Sequence, residues 1–309
     1  MEIRQLRHFI AAAEAGNLRK ASEQIHITHS ALSLSLKNLE NSLGAKLLIR
    51  SRNGVQMTYA GEQLLDSAHS LLRQIGDLQA SLLSTQDSPA GNVRLGIPYG
   101  ANNALAAPLF KLLRDEFPGI RLEIEEGNTT SLERSFENNL IDLMINYDVT
   151  EKMDQKCEDL YQEELYLVSK YDPELEDNTE VTSSELCDMS IVSSPGTYSM
   201  RRTLEQYATD NDITFDYQFD FQSAHASLKI VVEGLSNTIA PWDLIHDHVM
   251  TKLVSARKIV SPKMERRVCL VSSLRKQDSL ATNAMIGAIK RAIDEAIADD
   301  KLRGKRFSD

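Results

Sequence analysis

The sequence has few cysteines and lacks the short motifs that mark several common enzyme classes. Its three cysteines, Cys157, Cys187 and Cys269, are widely spaced and form no CxxC pair or Cys/His cluster. This spacing argues against a zinc site or a disulfide framework, and it favours buried inert thiols over a redox pair such as Cys157 and Cys187. A GxSxG elbow, a P-loop, an HExxH helix and a dinucleotide fingerprint are all missing, so we expect neither catalysis nor a cofactor.

Long apolar runs are missing as well. Nowhere do about 18 apolar residues follow one another, so no transmembrane helix is expected. The segment MEIRQLRHFIAAAEAG has no apolar stretch with a small-residue cleavage site, so no signal peptide is expected either. These absences predict a cytoplasmic protein, and the length of 309 residues predicts two or three domains.

The net charge of −11 is unevenly distributed along the chain. Residues 1–60 contain eight basic and four acidic side chains, a net charge of +4, which leaves −15 for the remainder. Such asymmetry suggests that the N-terminal end meets a polyanion and that the other end does not.

Helical periodicity begins at the N-terminus and predicts three short helices in succession. The first ends at Gly16, the second runs from Leu18 to Ile25, and the third runs from His29 to Leu43 with Thr28 as its N-cap. The buried stripe expected on the third helix consists of Leu32, Leu36, Leu39 and Leu43. A wing should follow, with strands over 46–49 and 55–58 and a turn at Asn53-Gly54.

Three helices followed by a hairpin are the parts of a winged helix-turn-helix. The segment that carries a family resemblance is LRHFIAAAEAGNLRKASEQIHITHSALSLSLKNLENSLGAKLLIRSRNGVQMTYAGEQLL. It closely resembles the LysR-type transcriptional regulators, which implies a DNA-binding domain over residues 1–58. Two positions depart from the family pattern, since His29 replaces a usual glutamine and Leu34 replaces a polar or basic residue.

The resemblance places DNA contacts on the third helix and the wing. The expected DNA-binding residues are Thr28, His29, Ser30, Ser33, Leu34, Lys37, Arg50 and Arg52. We expect His29 to be the main polar reader and Leu34 to contact a thymine methyl in A·T-rich half-sites. An equal alternative is that Leu34 is an exposed leucine that contributes nothing. The three basic residues are expected to meet phosphates.

Residues 59–87 predict one long helix with a leucine-rich stripe. In the resembled family such a helix pairs with its twin to form a dimer, and the stripe fits that use. The alternative, packing on its own winged domain, should explain only the first turns. Residues 88–92 are expected to form a hinge.

From Val93 the pattern changes to strands alternating with helices, which predicts a parallel α/β sheet. We expect two lobes joined by two crossover strands, like a periplasmic binding protein, over residues 93–309. Lobe I should cover 93–165 and 268–309, and lobe II should cover 166–267. This half also resembles the LysR family, in a manner close to its nitrogen-assimilation regulators, through GNVRLGIP, FPGIRLEIEEGNTTSLERSF, NNLIDLMI, EELYLVS and VVEGLSNTIAPW.

Ligands of open α/β sheets lie beyond the carboxyl ends of the strands, where helix N-termini offer free N–H groups. This rule selects as effector-binding residues Pro98, Tyr99, Gly100, Asn102, Thr129, Thr130, Ser131, Ser194, Thr197, Ser223, His225 and Trp242. Hydroxyl groups at helix starts suit a carboxylate or another small anion, although each one alone is more simply explained as an N-cap. Arg201 and Arg202 could pair with such an anion or be solvated.

The expected function is therefore a transcriptional regulator controlled by a small, anionic effector. The resemblance implies homodimers or homotetramers that bind an interrupted palindrome in double-stranded DNA and contact RNA polymerase. One alternative is a degenerate regulator that acts through a protein partner. Another is a cytoplasmic solute-binding protein, which the basic N-terminal domain argues against.

Overall fold

The computed structural model describes residues 1–51, 54–83, 89–149, 155–187, 189–196, 198–274 and 279–307, with the backbone alone at residue 66 and over 77–83. The chain divides into two compact units, namely Met1–Asp87 with Glu137–Leu140, and Ser88–Phe136 with Ile141–Asp309. Within the described residues, no helix combines the length and the apolarity that crossing a membrane requires.

The first unit contains four helices and a two-stranded wing. Its elements are α1 (Ile3–Ala15), α2 (Leu18–Gln24), α3 (His29–Leu43), β1 (Leu48–Ser51), β2 (Gly54–Met57) and α4 (Tyr59–Leu83). Gly16 and Gly44, with φ of 59° and 66°, end α1 and α3 in the left-handed conformation. Asn17 and Thr28 begin α2 and α3 by accepting hydrogen bonds from N–H groups of the first turn. The three predicted helices are confirmed.

The core of this unit lies between α1, α2 and α3. Leu32, Leu36 and Leu39 of α3 are at most 2% exposed and pack in one cluster with Phe9 of α1. Leu43, which the leucine spacing also predicted to be buried, is 40% exposed. That prediction is wrong because α3 ends at this residue, beyond the turns that α1 and α2 cover.

The wing begins later than its sequence pattern suggested. Strand β1 pairs antiparallel with β2, with Leu48 opposite Met57 and Ser51 opposite Gly54. The N–H groups of Leu47 and Leu48 donate to the carboxylate of Glu40, at 3.0 and 3.4 Å, so the entry to the wing is held by α3. Residues 52 and 53 of the predicted turn lie outside the described residues.

The long helix α4 packs on the winged core through its first half. Leu64, Leu65 and Leu72 are partly buried there and Ala68 is fully buried. Packing within the same chain therefore explains the stripe as far as residue 72. The expected end of this helix at residue 87 and the start of the hinge fall among residues 84–88, which are not described.

The second unit alternates strands and helices along most of its length. Its strands are β3 (Gly91–Pro98), β4 (Ile120–Gly127), β5 (Leu143–Tyr147), β6 (Gln155–Lys170), β7 (Glu180–Thr182), β8 (Met189–Ser193), β9 (Phe215–Asp220), β10 (Thr238–Pro241), β11 (Val254–Ser261), β12 (Glu265–Ser273) and β13 (Gly304–Arg306). Its helices are α5 (Tyr99–Glu116), α6 (Thr129–Glu137), α7 (Ser183–Leu186), α8 (Ser199–Asp210), α9 (Ala224–Val232), α10 (Trp242–Met250) and α11 (Leu280–Ala298).

One mixed sheet runs through this unit in the order β4-β3-β5-β12-β6-β11-β7, and β10 and β13 also pair with β6. The expected parallel pairing is confirmed for β3 with β4 and with β5. Strand β12 is instead antiparallel to both of its neighbours, because it returns along the 16-residue β6 in the opposite direction. Strands β8 and β9 form a separate parallel pair.

Separate apolar clusters form on this framework. Leu105 of α5 and Ile289 of α11 are buried in one of them, with Leu143 of β5. Ile191 of β8 and Leu204 of α8 are buried in another. Two crossing segments, β6 and the β11–β12 pair, connect these regions, as expected for a two-lobed binding domain.

Sequence patterns did not predict β7, β11, β13, α7 or α10. In β11, Arg257 and Lys258 interrupt the apolar alternation, and the structure shows why they are tolerated there. Arg257 pairs with Glu185 at 3.5 Å and Lys258 pairs with Glu164 at 2.5 Å, so both charges have partners beside the sheet.

Candidate functional site

The outward face of α3 carries the polar residues singled out in the sequence. Thr28, His29, Ser30 and Lys37 are exposed, and Ser33 is half-buried. Leu34 is 60% exposed, although it is apolar. The hydroxyl of Thr28 caps the helix and also lies 3.1 Å from the hydroxyl of Ser30. Apart from the half-buried Ser33, these residues of the face are therefore accessible.

The wing contributes one guanidinium to this face. Arg50 of β1 donates from Nη1 to the hydroxyl of Ser33 at 2.7 Å. The contact joins two residues that the sequence placed in separate elements, and it holds a positive charge beside the middle of α3. Arg52, the other predicted wing contact, lies outside the described residues.

A second candidate site is a cleft of about 850 Å³, open mouth included, within the second unit. Strand ends and helix starts converge on it, as the rule for open α/β sheets predicts. Its lining includes Pro98, Tyr99, Gly100, Gly127, Asn128, Thr129, Tyr147, Ser193, Ser194, Tyr198, Ser199, Met200, Phe221, Thr238, Pro241 and Arg266. The described lining is mainly apolar and aromatic, with hydroxyl groups between.

Polar groups without protein partners face this cleft. Among the described residues, the hydroxyls of Ser193 and Ser194 are buried and have no hydrogen-bond partner. Helices α5 and α8 begin at the cleft after Pro98 and Tyr198, and no side chain caps either helix. Their first-turn N–H groups, with the positive end of each helix dipole, are suited to an acceptor that carries negative charge.

The floor of the cleft contains a buried ion pair. Arg266 and Glu163, 4% and 1% exposed, are joined by a short hydrogen bond, and the Arg266 guanidinium lies 3.5 Å from the centre of the Tyr147 ring. Burial raises the pKa of Glu163, although Arg266 opposes this effect. Burial alone would lower the pKa of Arg266, but the charge of Glu163 raises it. The only charge on the described lining is thus already paired.

Asp243 lies behind this floor on α10. It is 5% exposed, and neither carboxylate oxygen has a hydrogen-bond partner among the described residues. Burial and the nearby charge of Glu163 raise the pKa of Asp243 well above its usual range. Gly100 permits this packing, because a Cβ at that position would lie 2.5 Å from an Asp243 carboxylate oxygen.

Comparison with known proteins decides the family. Residues 3–62 match the model of the bacterial regulatory helix-turn-helix proteins of the lysR family, and residues 86–294 match the LysR substrate binding domain. The chain belongs to the LysR family of transcriptional regulators. The nitrogen assimilation regulatory proteins nac of Klebsiella aerogenes and Escherichia coli are 31% identical to it over 173 residues, or 56% of this chain and 57% of theirs.

A further LysR relative is the Hca operon transcriptional activator HcaR of Escherichia coli, 28% identical over 64% of this chain and 67% of its own. The segment of this chain that matches the nac proteins spans just over half of their length. Two solved structures share the fold. Full-length CbnR in complex with its target DNA covers 94% of this chain and 100% of its own at a TM-score of 0.73 and 18% identity. Full-length OxyR from Pseudomonas aeruginosa covers 100% and 98% at a TM-score of 0.71 and 20% identity.

Not every effector-binding residue predicted for this LysR chain lies on the cleft. The predicted residues that line it are Pro98, Tyr99, Gly100, Thr129 and Ser194. Those that are not among its described lining are Asn102, Thr130, Ser131, Ser223, His225 and Trp242. Thr197 lies outside the described residues.

The residues away from the lining have other contacts. Asn102 donates to Glu126 at 2.7 Å, and Ser223 caps α9. Ser131 donates its hydroxyl to the Asn128 carbonyl at 2.9 Å. The Trp242 indole N–H donates to the Asp300 carbonyl at 2.6 Å, which anchors that ring away from the cleft. For these four residues, a structural role in capping or packing fits the contacts better than effector binding does.

Several lining residues of the LysR domain were not predicted from the sequence. Tyr147 and Arg266 belong to strand segments whose patterns indicate only burial, and Thr238 lies inside β10. Ser193, by contrast, lies in the loop 193–197 that the strand-end rule selects, beside Ser194. Arg201, whose role was left open, is paired with Glu205 and Asp220 and lies 3.3 Å from the Tyr217 ring centre.

Proposed function

We propose that this protein is a sequence-specific DNA-binding regulator whose DNA contacts are controlled by a small molecule in the cleft. The observation that carries the proposal is the pair of sites in one chain. One is an exposed helix face with a basic neighbour, and the other is a cleft with unpartnered hydroxyls. Both parts belong to the LysR family organisation.

The DNA-binding part of the proposal rests on α3 and the wing. Helix α3 is the second helix of the helix-turn-helix and has the exposed N-terminal residues that read base edges in such motifs. The Arg50–Ser33 contact supports a phosphate-binding role for Arg50. A guanidinium held beside the helix can bind phosphate and so position the protein on the duplex, without reading the base sequence. Exposed Leu34 is available for a thymine methyl, and the solved complex of CbnR with its target DNA supports the same use of this fold.

The effector part of the proposal rests on the cleft. We infer a small ligand with one anionic group and an apolar body. The anionic group would accept hydrogen bonds from Ser193, Ser194 and the first turns of α5 and α8. The apolar body would lie against Phe221, Met200 and the remaining apolar lining. Arg266 would contribute to the electrostatic potential of the cleft but would not bind the anion, because Glu163 already neutralises the Arg266 guanidinium.

Assembly and domain limits complete the proposal. We propose a winged domain over 1–58, a connecting helix over 59–87, a hinge over 88–92 and an effector domain over 93–309, with the lobes divided as the sequence predicts. The exposed side of α4, where Leu71 is 40% exposed, would pair with a second copy to form dimers and tetramers. Such assemblies would read an interrupted palindrome in the cytoplasm and contact RNA polymerase.

The DNA-binding proposal is tested by one charge placed on each side of α3. Ser33→Glu is expected to abolish binding to DNA taken from upstream of the gene, because the carboxylate would repel phosphate and pair with the neighbouring Arg50 guanidinium, which would neutralise its charge. Ser42→Glu is the matched control, since Ser42 is an exposed residue on the opposite side of the same helix. A gel shift in which Ser33→Glu still binds at the wild-type concentration would refute the assignment of α3.

The effector proposal is tested with small aliphatic and aromatic carboxylates and their uncharged amides. A binder should raise the thermal midpoint of the wild-type protein, and its amide should not. Ser194→Ala is expected to weaken binding about tenfold, whereas Ser131→Ala should leave it unchanged because that hydroxyl lies off the cleft. Equal binding of acids and amides would contradict the anionic ligand.

One observation favours the alternative of a degenerate regulator that acts through a protein partner. Apolar Leu34 is 60% exposed on the outward face of α3. A protein partner would cover such a residue. The alternative predicts that Leu34→Ser removes a protein contact without changing DNA affinity, and a titration of both variants against DNA separates the two functions.

A further inference from the structure

Two cysteines that are far apart in the sequence lie side by side in the sheet of the second unit. Cys157 belongs to β6 and Cys269 to β12, and Asp159 of β6 lies with them. The two sulfur atoms and a carboxylate oxygen all lie within 4.8 Å of one another. Sequence spacing argued against a metal site because it revealed no local cysteine pair, but the pairing of β6 with β12 creates one.

Strand geometry explains why these side chains share a face. Cys157 and Asp159 are two residues apart on β6, so both point to the same side of the sheet. Cys269 is the register partner of Asp159. An irregularity in the register follows at Leu160, and both Leu160 and Tyr161 are then fully buried in one core. The three polar side chains therefore stay together on the other side.

The separation of the donor atoms matches a metal site. Cys269 Sγ lies 3.5 Å from Asp159 Oδ1. A tetrahedral zinc ion with Zn–S of about 2.3 Å and Zn–O of about 2.0 Å places those two ligand atoms about 3.5 Å apart. Cys269 is fully buried, Cys157 is half-buried and Asp159 is exposed, so an ion could enter from the Asp159 side.

The charge of the cluster also suits a divalent cation. When a metal ion displaces the two thiol protons, two thiolates and one carboxylate would carry three negative charges, and the guanidinium of Arg267, 3.4 Å from Asp159, would offset one of them. The remaining charge of −2 equals that of a zinc ion with opposite sign. Thiolate sulfur is a soft ligand that selects Zn²⁺ over Mg²⁺ or Ca²⁺.

A disulfide is the competing use of two neighbouring thiols. In the register, Cys157 is opposite Val271 and Cys269 is opposite Asp159, so the cysteines are diagonal neighbours. Diagonal pairs in antiparallel sheets have Cα atoms about 7–8 Å apart, beyond the roughly 7 Å limit for a disulfide. A metal ion spans that separation because it adds a bond length on each side.

We propose that Cys157, Cys269 and Asp159 form a binding site for one thiophilic divalent cation of the zinc class, with a water molecule as the fourth ligand. The ion ties β6 to β12, the two strands that connect the regions of the effector domain. This site is distinct from the cleft and does not depend on the proposed regulatory function.

The test uses cobalt(II) as the probe on the reduced, full-length protein, because cobalt–thiolate bonds absorb in the near ultraviolet. The wild-type protein should bind one equivalent with a cobalt–thiolate band that zinc abolishes. Cys157→Ser and Cys269→Ser should lose the band, and Asp159→Asn should weaken binding by about tenfold or more. Cys187→Ser, which removes the exposed third cysteine, should retain it unchanged.

Absence of the band in the reduced wild-type protein would overturn the proposal, as would a band that survives Cys157→Ser. If the buried Cys269→Ser variant does not fold, Cys157→Ser still decides the question, because Cys157 is only half-buried. Loss of the band in Cys187→Ser would assign the metal to another site. A two-dalton mass loss on mild oxidation, with Cys157 and Cys269 linked, together with no cobalt band in the reduced protein, would assign the two thiols to a disulfide and overturn the proposal.

Discussion

Removal of Arg266 should destabilise the second unit strongly and in a manner that depends on pH. Its side chain and that of its partner Glu163 are only 4% and 2% exposed, so Arg266→Met leaves a carboxylate in the interior without its cation. Loss of one member of a buried pair typically costs about 3–5 kcal/mol of unfolding free energy. The stacking of Arg266 on Tyr147 is lost as well, so the loss of unfolding free energy should lie toward the upper end of this range.

The pH dependence follows from the same geometry. Burial already raises the pKa of Glu163, and without Arg266 the pKa of that carboxyl rises further. A carboxyl with a raised folded-state pKa destabilises the fold at high pH and regains stability as the pH falls toward its unfolded value. One proton is worth about 1.4 kcal/mol per pH unit, so the deficit of the variant should shrink by up to about 2.7 kcal/mol from pH 7 to pH 5.

The assay is urea unfolding followed through Trp242, the only tryptophan, which is buried in the same unit. Arg291→Met is the control, because Arg291 makes a similar pair with Glu116 on the exposed surface and its loss should matter far less. Glu163→Gln with Arg266→Met should recover part of the loss. Equal stability of the two arginine variants, or a deficit that is constant from pH 5 to pH 7, would refute the assignment of a desolvated pair.

Two further predictions concern the winged unit. Glu40→Gln should cost about 2 kcal/mol at pH 7, because the carboxylate accepts from Lys46 and two backbone N–H groups. Burial opposes ionisation of Glu40, but these bonds lower its pKa, so the difference should shrink as the pH falls from about 4.5 and vanish below the lowered folded-state pKa, and urea midpoints across pH check this. Gly61→Ala should destabilise the unit, since a Cβ would lie 2.2 Å from the Leu47 carbonyl oxygen, whereas Gly76→Ala meets open space and should raise the thermal midpoint slightly. The opposite order of the two glycine variants would contradict the packing of α4 on the wing.

The fold could largely be predicted from the sequence in segments where a single hydrophobic periodicity, helical or strand-like, dominates. The leucine spacing and caps of α3 predicted its bounds from His29 to Leu43 correctly, because local capping and burial agree there. Prediction failed where tertiary contacts replace local signals. Strand β11 contains Arg257 and Lys258, whose partners Glu185 and Glu164 are far away in the sequence. Burial of Leu43 was wrong because periodicity does not reveal where neighbouring helices end.

The candidate cleft was partly predictable for the same reason. The rule that ligands lie at strand ends found Pro98, Thr129 and Ser194, which line the cleft. It could not distinguish a free hydroxyl from one used as a cap, as in Ser131 and Ser223. It also had no means of finding Arg266, because that residue reaches the cleft only through the pairing of β12 with β6.

The central claim, that α3 and the wing bind a specific DNA sequence, is tested most directly by footprinting. The full-length protein would be incubated with the DNA upstream of its gene and with a random-sequence library, at two salt concentrations. We predict protection of two half-sites related by a dyad, with affinity that falls steeply with salt as phosphate contacts are lost. Recovery of no common sequence from the library, at either salt concentration, would contradict the account and favour a regulator that acts through a protein partner.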